Sequence, residues 1–179
     1  TFVYLTALES GFEPDDVIED KPISVGKWKP ENYDKKYYGE VTLADAFRRS
    51  LNLATIDLSS KISKRKVISL AHKMGITTPI ENSSAMALGS SEVKIIDMAI
   101  AYSTIANGGY ANWPYSITEI YSKDGYKIYE RIADEKQRII SPESVEKITY
   151  MLQKVVESGT GKRAQLSGFA AGKTGTSQD

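Results

Sequence analysis

The tetrad Lys173-Thr174-Gly175-Thr176, near the C-terminal end of the sequence, contains residue types that are suited to binding a carboxylate. In an extended strand, side chains alternate between the two faces, so the lysine and the glycine point to one side and the two threonines to the other. Gly175 lets the backbone of a ligand approach closely. An exposed strand edge also offers unpaired backbone groups to a peptide, and a nearby ammonium attracts a carboxylate. The tetrad therefore predicts a peptide-carboxylate site, with a polar turn bearing a surface lysine as the alternative.

A second pair of polar residues, Ser50 and Asn52, lies far upstream, with Ser50 placed 123 positions before Lys173. The pair follows a short predicted helix. Serine and asparagine two positions apart are common, and on their own they are typical of a polar helix end, where both types hydrogen-bond to backbone groups. The pair gains significance only from the sequence around it.

Several long blocks of sequence resemble, in the same order, the serine transpeptidase domain of penicillin-binding proteins. The similarity covers essentially the whole chain and is greatest to the bifunctional, high-molecular-weight (class A) members. The blocks are TFVYLTALESGFEPDD, WKPENYDKKYYGEVTLADAFRRSLN, MAIAYSTIANGGY, VVESGTGKRA and AAGKTGTSQD. Blocks of this length in this order are far more specific than either short motif. The resemblance implies an α+β fold of the β-lactamase/transpeptidase type.

The resemblance implies roles in acyl transfer from a D-alanyl-D-alanine stem peptide. Lys173 would supply a positive field for the substrate carboxylate and, through Ser50, tune the transfer of a proton to the departing nitrogen. Asn52 would hold the amide carbonyl of the substrate and orient a lysine base. Thr174 and Thr176 would donate charge-assisted hydrogen bonds to the carboxylate, and the backbone N–H of Thr176 would be one donor of the oxyanion hole.

Two residues of the family's chemistry fall outside the 179 residues. The nucleophilic serine and the lysine base belong to a Ser-x-x-Lys motif that opens the helix ending in a segment like FVYLTALE, and Thr1 begins just after that position. The family also continues beyond the tetrad into further strands and a C-terminal helix. We therefore expect residues 1–179 to be a transpeptidase domain truncated at both ends, inactive by itself although its parent protein is an enzyme.

The resemblance also implies partners and a compartment. Peptidoglycan stem peptides would be the substrates, and β-lactams would bind the intact domain. Contact with a membrane would come only through an N-terminal anchor outside this chain. The domain would then lie in the periplasm or on the outer face of the bacterial cytoplasmic membrane.

Charge, cysteine and histidine content exclude several classes of function. Lysine plus arginine equals aspartate plus glutamate at 23 each, so we expect no nucleic-acid partner. The sequence has no cysteine, which excludes thiol catalysis and thiolate zinc sites. His72 is the only histidine, so a metal hydrolase is poorly supported and we expect neither a metal nor a cofactor. No run approaches the ~18 apolar residues of a membrane span.

Hydrophobic periodicity predicts a mostly helical chain with one small hairpin. The predicted helical body covers about residues 42–109 and 141–158, and a hairpin built on an Asp-Gly turn covers about 114–130. The tetrad is predicted to lie in an isolated strand at about 170–177. Residues 12–41, rich in proline and aromatic residues, are predicted to form a long connection without regular structure.

Alternatives to a transpeptidase share part of these motifs. A β-lactamase or a penicillin-sensing receptor of the same fold would carry both motifs, and a non-catalytic scaffold whose serine is lost is a candidate of another class. A phosphate-binding loop is rejected, because that motif requires a glycine five positions before the glycine that precedes the lysine. This position is occupied by Val156, upstream of GTGKRA, and by Ser167, upstream of AGKTGTS.

Overall fold

A computed structural model describes residues 1–133, 135 and 137–175 of the chain, and Thr176 lies outside this range. The described residues contain six α-helices, four β-strands and two short 3₁₀ turns. In chain order they are α1 (Phe2–Leu8), β1 (Val17–Asp20), β2 (Gly39–Thr42), α2 (Leu43–Arg49), α3 (Asn52–Lys61), α4 (Lys64–Lys73), a 3₁₀ turn (Ala85–Leu88), α5 (Ile95–Ala106), β3 (Glu119–Tyr121), β4 (Lys127–Glu130), α6 (Pro142–Ser158) and a second 3₁₀ turn (Lys162–Ala164).

The strands of the described chain form two separate antiparallel pairs. β3 and β4 form the hairpin predicted from the Asp-Gly turn, in which Gly125 has a φ of 84°. β1 pairs with β2, with Ile18 opposite Val41. The sequence does not predict this second pair, because each strand has only four residues and carries acidic side chains. The prediction that residues 12–41 lack regular structure is therefore wrong for residues 17–20 and 39–41, and residues 21–38 connect the two strands.

Helices α1, α2, α3 and α6 supply most of a common apolar core. Leu5, Phe47, Leu58 and Met151 are among its fully buried side chains. The ring of Phe47 meets that of Tyr4 edge-on at a centroid distance of 4.8 Å. Each such side chain contributes about 1.5–3 kcal/mol on leaving water, so the core holds the ends of these helices in fixed positions.

Side-chain hydrogen bonds cap the first turns of α2 and α6. The hydroxyl of Thr42 accepts a hydrogen bond from the backbone N–H of Asp45 at 3.1 Å, which caps α2. The hydroxyl of Ser141 accepts from the backbone N–H of Ser144 at 3.2 Å, with Pro142 at the first helical position of α6. Both helices end near the predicted site.

The mixed, mostly helical architecture with a small hairpin is confirmed, whereas the predicted strand at 170–177 is not found in the part that the structure describes. Residues 170–175 make no strand ladder, because no described strand lies beside them. Residues 176 and 177 of that prediction lie outside the described range. No described helix has the length and the apolar composition needed to cross a bilayer.

Candidate active site

Lys173 and Ser50 meet at the surface of the core. The Lys173 ammonium donates a hydrogen bond of 2.8 Å to Ser50 Oγ and another of 3.2 Å to the carbonyl oxygen of Thr174. The two side chains are separated by 123 positions in sequence. The fold therefore brings together the two motifs that the sequence singled out.

Ser50 sits in a tight turn between two helices. It ends α2 in the left-handed conformation, with φ 56° and ψ 46°, and its N–H reaches the carbonyl oxygens of Ala46 and Phe47. A non-glycine residue in this region costs roughly 1–2 kcal/mol, so the surrounding structure must enforce it. Leu51 is buried and anchors the turn. The hypothesis that Ser50 and Asn52 both end a helix is thus half right, because Asn52 begins α3.

Burial sets the electrostatics of Lys173. Loss of water around the ammonium lowers the pKa of Lys173 from its usual value near 10.5 to about 8. The ammonium also lies 5.7 Å from the centre of the Phe47 ring. No described carboxylate forms an ion pair with Lys173, so the charge is compensated only by neutral oxygens. Such a site favours an anionic ligand, because an added carboxylate would stabilise the charged form.

The start of α1 approaches the same ammonium. The backbone nitrogen of Thr1 is buried and lies close enough to the Lys173 ammonium to interact with it electrostatically. The Thr1 hydroxyl is 2.6 Å from the hydroxyl of Tyr102 on α5. The N-terminal end of α1 therefore faces the site.

Hydrogen bonds of Thr160, which the sequence did not predict, connect the part of the site around Lys173 to the part around Ser50. Thr160, just after α6, has its hydroxyl 2.6 Å from the hydroxyl of Thr174, and its backbone N–H donates to the carbonyl oxygen of Arg48 at 3.2 Å. The Arg48 guanidinium in turn donates to the carbonyl oxygen of Ser158 at 2.8 Å. The end of α6 thus links the residue after Lys173 to the helix that ends at Ser50. The only signal of this link in the sequence is the block VVESGTGKRA.

Gly159 makes this link possible, because a side chain would not fit there. A Cβ atom at Gly159 would lie 2.3 Å from the carbonyl oxygen of Arg48 and 2.9 Å from the Cα of Val155. Both atoms belong to helix backbones that the core holds in place. The close approach of α2 and α6 therefore requires glycine at this position.

The remaining predicted residues lie near Lys173 or Ser50 in sequence, and the structure describes all of them except Thr176. Asn52 lies one residue beyond Leu51, and its side-chain amide donates to the carbonyl oxygen of Glu31 at 2.8 Å. Thr174 is bound to Thr160, as described above. Gly175 is exposed, and a Cβ atom added there would have no neighbour within 4 Å. Thr176, predicted to donate to the carboxylate and the oxyanion, lies outside the described residues.

Neither a metal site nor a deep cavity coincides with these residues. In the described ranges, no group of three or more histidine and carboxylate side chains could hold a metal ion. His72 Nδ1 is 2.7 Å from the carbonyl oxygen of Ile76, just beyond the end of α4. A cavity of about 480 Å³ between α3 and the start of α4 is lined by residues including Ile56 and Lys64, and by none of the predicted site residues.

The fold places the chain in a known structural class. Its structure matches that of the PonA1 protein from Mycobacterium tuberculosis in complex with penicillin V with a TM-score of 0.87. The two are 24% identical, and the match covers 99% of this chain and 51% of that one. The similarity defines a β-lactamase/transpeptidase fold.

Sequence comparisons then give the family. Residues 1–179 match the penicillin-binding protein transpeptidase domain, so the chain belongs to that family, which confirms the resemblance drawn from the sequence blocks. The chain is 33% identical over its whole length to penicillin-binding protein 1A of Rickettsia typhi, of which it spans 26%. It is also 33% identical, over 99% of its length, to penicillin-binding protein 1B of Haemophilus influenzae, of which it spans 24%. The chain thus covers about a quarter of the length of these curated relatives.

The pKa of Lys173 gives the first testable prediction. Because the folded chain releases the Lys173 proton near pH 8 and the unfolded chain near 10.5, the unfolded chain binds more protons between these values. The free energy of unfolding should therefore rise with pH across this window, and this contribution should vanish in Lys173→Met. A titration followed by NMR of the lysine side chain should show a midpoint near 8.

Lys154 is the internal control for that titration. Its pKa is raised by a hydrogen bond and the charge of Glu157, so it should titrate well above Lys173 in the same sample. A Lys173 midpoint equal to that of Lys154 would contradict the burial of the ammonium.

Gly159→Ala tests the close approach of α2 and α6. The added methyl group must push against the carbonyl oxygen of Arg48, and overpacking of this kind costs about 1–3 kcal/mol of unfolding free energy. Gly168→Ala is the matched control, because nothing lies within 4 Å of a Cβ added there, and it should change stability by less than about 0.5 kcal/mol. Denaturant unfolding measures both, and equal stabilities for the two variants would refute the constraint.

Proposed function

We propose that Lys173, Ser50 and their neighbours form one side of the active site of a peptidoglycan D,D-transpeptidase, an enzyme that cross-links stem peptides by serine acyl transfer. This side would bind the substrate carboxylate and transfer a proton. The observation that supports this most directly is the 2.8 Å hydrogen bond from Lys173 to Ser50. It joins a partly buried cation, which suits a carboxylate, to a hydroxyl, which suits proton transfer. The proposal also rests on membership of the family.

Lys173 and Ser50 have the chemistry required to protonate a leaving amine. Ser50 Oγ accepts a hydrogen bond from the ammonium, so its own hydrogen can point to a departing nitrogen. As that hydrogen leaves, the ammonium can supply a proton to the serine oxygen. A pKa of about 8 for Lys173 suits this relay, because a proton donor acts best when its pKa lies near the working pH.

The neighbouring hydroxyl and amide groups would orient the substrate. Thr174 and, by resemblance, Thr176 would hydrogen-bond the terminal carboxylate whose charge Lys173 balances. Asn52 would hold an amide carbonyl of the stem peptide, and Gly175 would leave room for its backbone. These assignments require a peptide that lies along residues 173–176 with its acidic end at the ammonium.

The nucleophilic serine and its lysine base would come from residues that precede Thr1 in the full-length protein. The approach of the start of α1 to Lys173 supports this, since a continuation of that helix would enter the site. The family further suggests that the domain binds β-lactams. It also suggests that the domain lies on the outer side of the cytoplasmic membrane, held by an anchor outside these residues.

Acylation by benzylpenicillin tests the proposal. The full-length protein should gain the mass of one penicilloyl group, whereas residues 1–179 alone should gain none, because the proposed nucleophile is not among them. Intact-mass spectrometry measures both. An adduct on residues 1–179, or no adduct on the full-length protein, would contradict the assignment. Rapid hydrolysis of penicillin without cross-linking of stem peptides would indicate a β-lactamase instead.

The roles of Lys173 and Ser50 can be tested in the same assay. Lys173→Gln and Ser50→Ala should each lower the acylation rate constant of the full-length protein by about 10²–10⁴-fold, the usual range for acid–base groups. Lys154→Gln, which removes a surface lysine paired with Glu157, should leave the rate unchanged. Rates for all three variants that match the unsubstituted protein would contradict the proposed proton relay.

A further inference from the structure

We infer that Asp20 and Asn32 are positioning residues that fix Asn52 in the active site, an inference that rests on the role proposed above for Asn52. Neither residue lies near Asn52 in sequence. Asp20 ends β1, and Asn32 lies in the connection between β1 and β2. Their contacts give this connection a function that its sequence did not reveal.

Asp20 is a fully buried carboxylate surrounded by donors. Both of its oxygens accept hydrogen bonds from the Asn32 side-chain amide, at 2.8 and 3.0 Å. The backbone N–H of Tyr38 donates to it at 2.9 Å, and that of Ala54 on α3 at 3.2 Å. A buried charge is tolerated only when it is fully hydrogen-bonded, and here the donors come from the connection between β1 and β2 and from α3. Asp20 therefore ties β1, the connection and α3 together.

Asn32 completes the start of α3. Its side-chain oxygen accepts from the backbone N–H groups of Asn52 and Leu53, at 2.8 and 3.3 Å. The residue before the helix, Leu51, has no side-chain acceptor and cannot cap it. Asn32 and Asp20 thus bind the first three N–H groups of α3 from outside the helix, and the negative charge of Asp20 suits the positive end of the helix.

The same connection also holds the Asn52 side chain. The Asn52 amide donates to the carbonyl oxygen of Glu31, the residue directly before Asn32. Backbone and side chain of Asn52 are therefore held by two consecutive residues, which fixes both the position and the rotation of the carboxamide. Within the described residues no bond to the Asn52 side-chain oxygen is formed, so this oxygen and one amide hydrogen are available to a ligand or to a further catalytic group.

Through these bonds, the connection between β1 and β2 would influence the chemistry without touching Lys173 or Ser50 itself. Removing the Asn32 side chain would leave the N–H groups of Asn52 and Leu53 without an acceptor. It would also remove the Asn32 bonds to the Asp20 carboxylate, which would keep only the two backbone donors. The turn that carries Asn52 would then shift or rotate. A displacement of about 1 Å in a positioned group can reduce a rate by about a hundredfold, so the effect should appear in acylation.

The test uses the full-length protein, benzylpenicillin and the variant Asn32→Ala. We expect the acylation rate constant to fall roughly tenfold to a hundredfold, while the midpoint of the Lys173 titration stays in place. Ile18→Ala is the matched control: it removes a fully buried side chain from the same strand as Asp20 without touching the hydrogen bonds at Asn52. Temperatures are chosen so that both variants are fully folded. Equal losses of rate in the two variants would show an effect of stability alone and overturn the inference.

A second comparison isolates the action through Asn52. In an Asn52→Ala background, Asn32→Ala should cause less than about a twofold further loss, because the group that it positions is already absent; a full, additive loss would overturn the inference. If Asn32→Ala does not fold, Asn32→Ser replaces it, because serine keeps a hydroxyl acceptor. The same changes in the acylation rate constant are then expected, and each should be smaller. Failure of the unsubstituted protein to be acylated would instead overturn the proposed function.

Discussion

The close approach between the ends of α2 and α6 is the constraint on which the site depends. At Gly159 the two helices come so near that a single Cβ would meet the carbonyl oxygen of Arg48. The backbone bond from Thr160 to that same oxygen and the bond from Thr160 to Thr174 follow from it. Ser50 and Lys173 then meet because each extends from one side of this junction. The apolar core under Phe47 keeps the junction rigid, so a strained serine backbone can persist there.

Two buried or half-buried charges have opposite effects in this region. Asp20 is surrounded by donors and stabilises the structure around the start of α3. Lys173 has only neutral oxygens as hydrogen-bond partners among the described residues, and the loss of water around its ammonium lowers the pKa of Lys173. A satisfied charge holds a scaffold in place, whereas an incompletely satisfied one is ready to bind a ligand of opposite charge. The contrast separates the residues that shape the site from those that would act on the substrate.

The sequence alone predicted the helices and the hairpin, because their apolar periodicity and the Asp-Gly turn are local signals. Residue types alone pointed to Lys173, but only the family resemblance connected it with Ser50, since no local rule relates residues 123 positions apart. The pair of strands β1 and β2 was missed because strands of only four residues have too little alternation to be recognised. The roles of Asp20 and Asn32 were missed for a different reason: a buried polar contact is visible only when both partners are placed. Residues 170–175 make no strand ladder in the described part of the chain, since a strand requires a neighbour with which to pair.

Lys173 and Ser50 are proposed to bind the substrate carboxylate and to return a proton to the leaving nitrogen. A crystal structure of the full-length protein acylated by benzylpenicillin tests this proposal most directly. We expect the carboxylate of the adduct to lie within hydrogen-bonding distance of the Thr174 hydroxyl or the Lys173 ammonium, at about 2.7–3.2 Å. Ser50 Oγ should face the ring nitrogen released from the lactam. An ordered adduct whose carboxylate points away from all three side chains would contradict it.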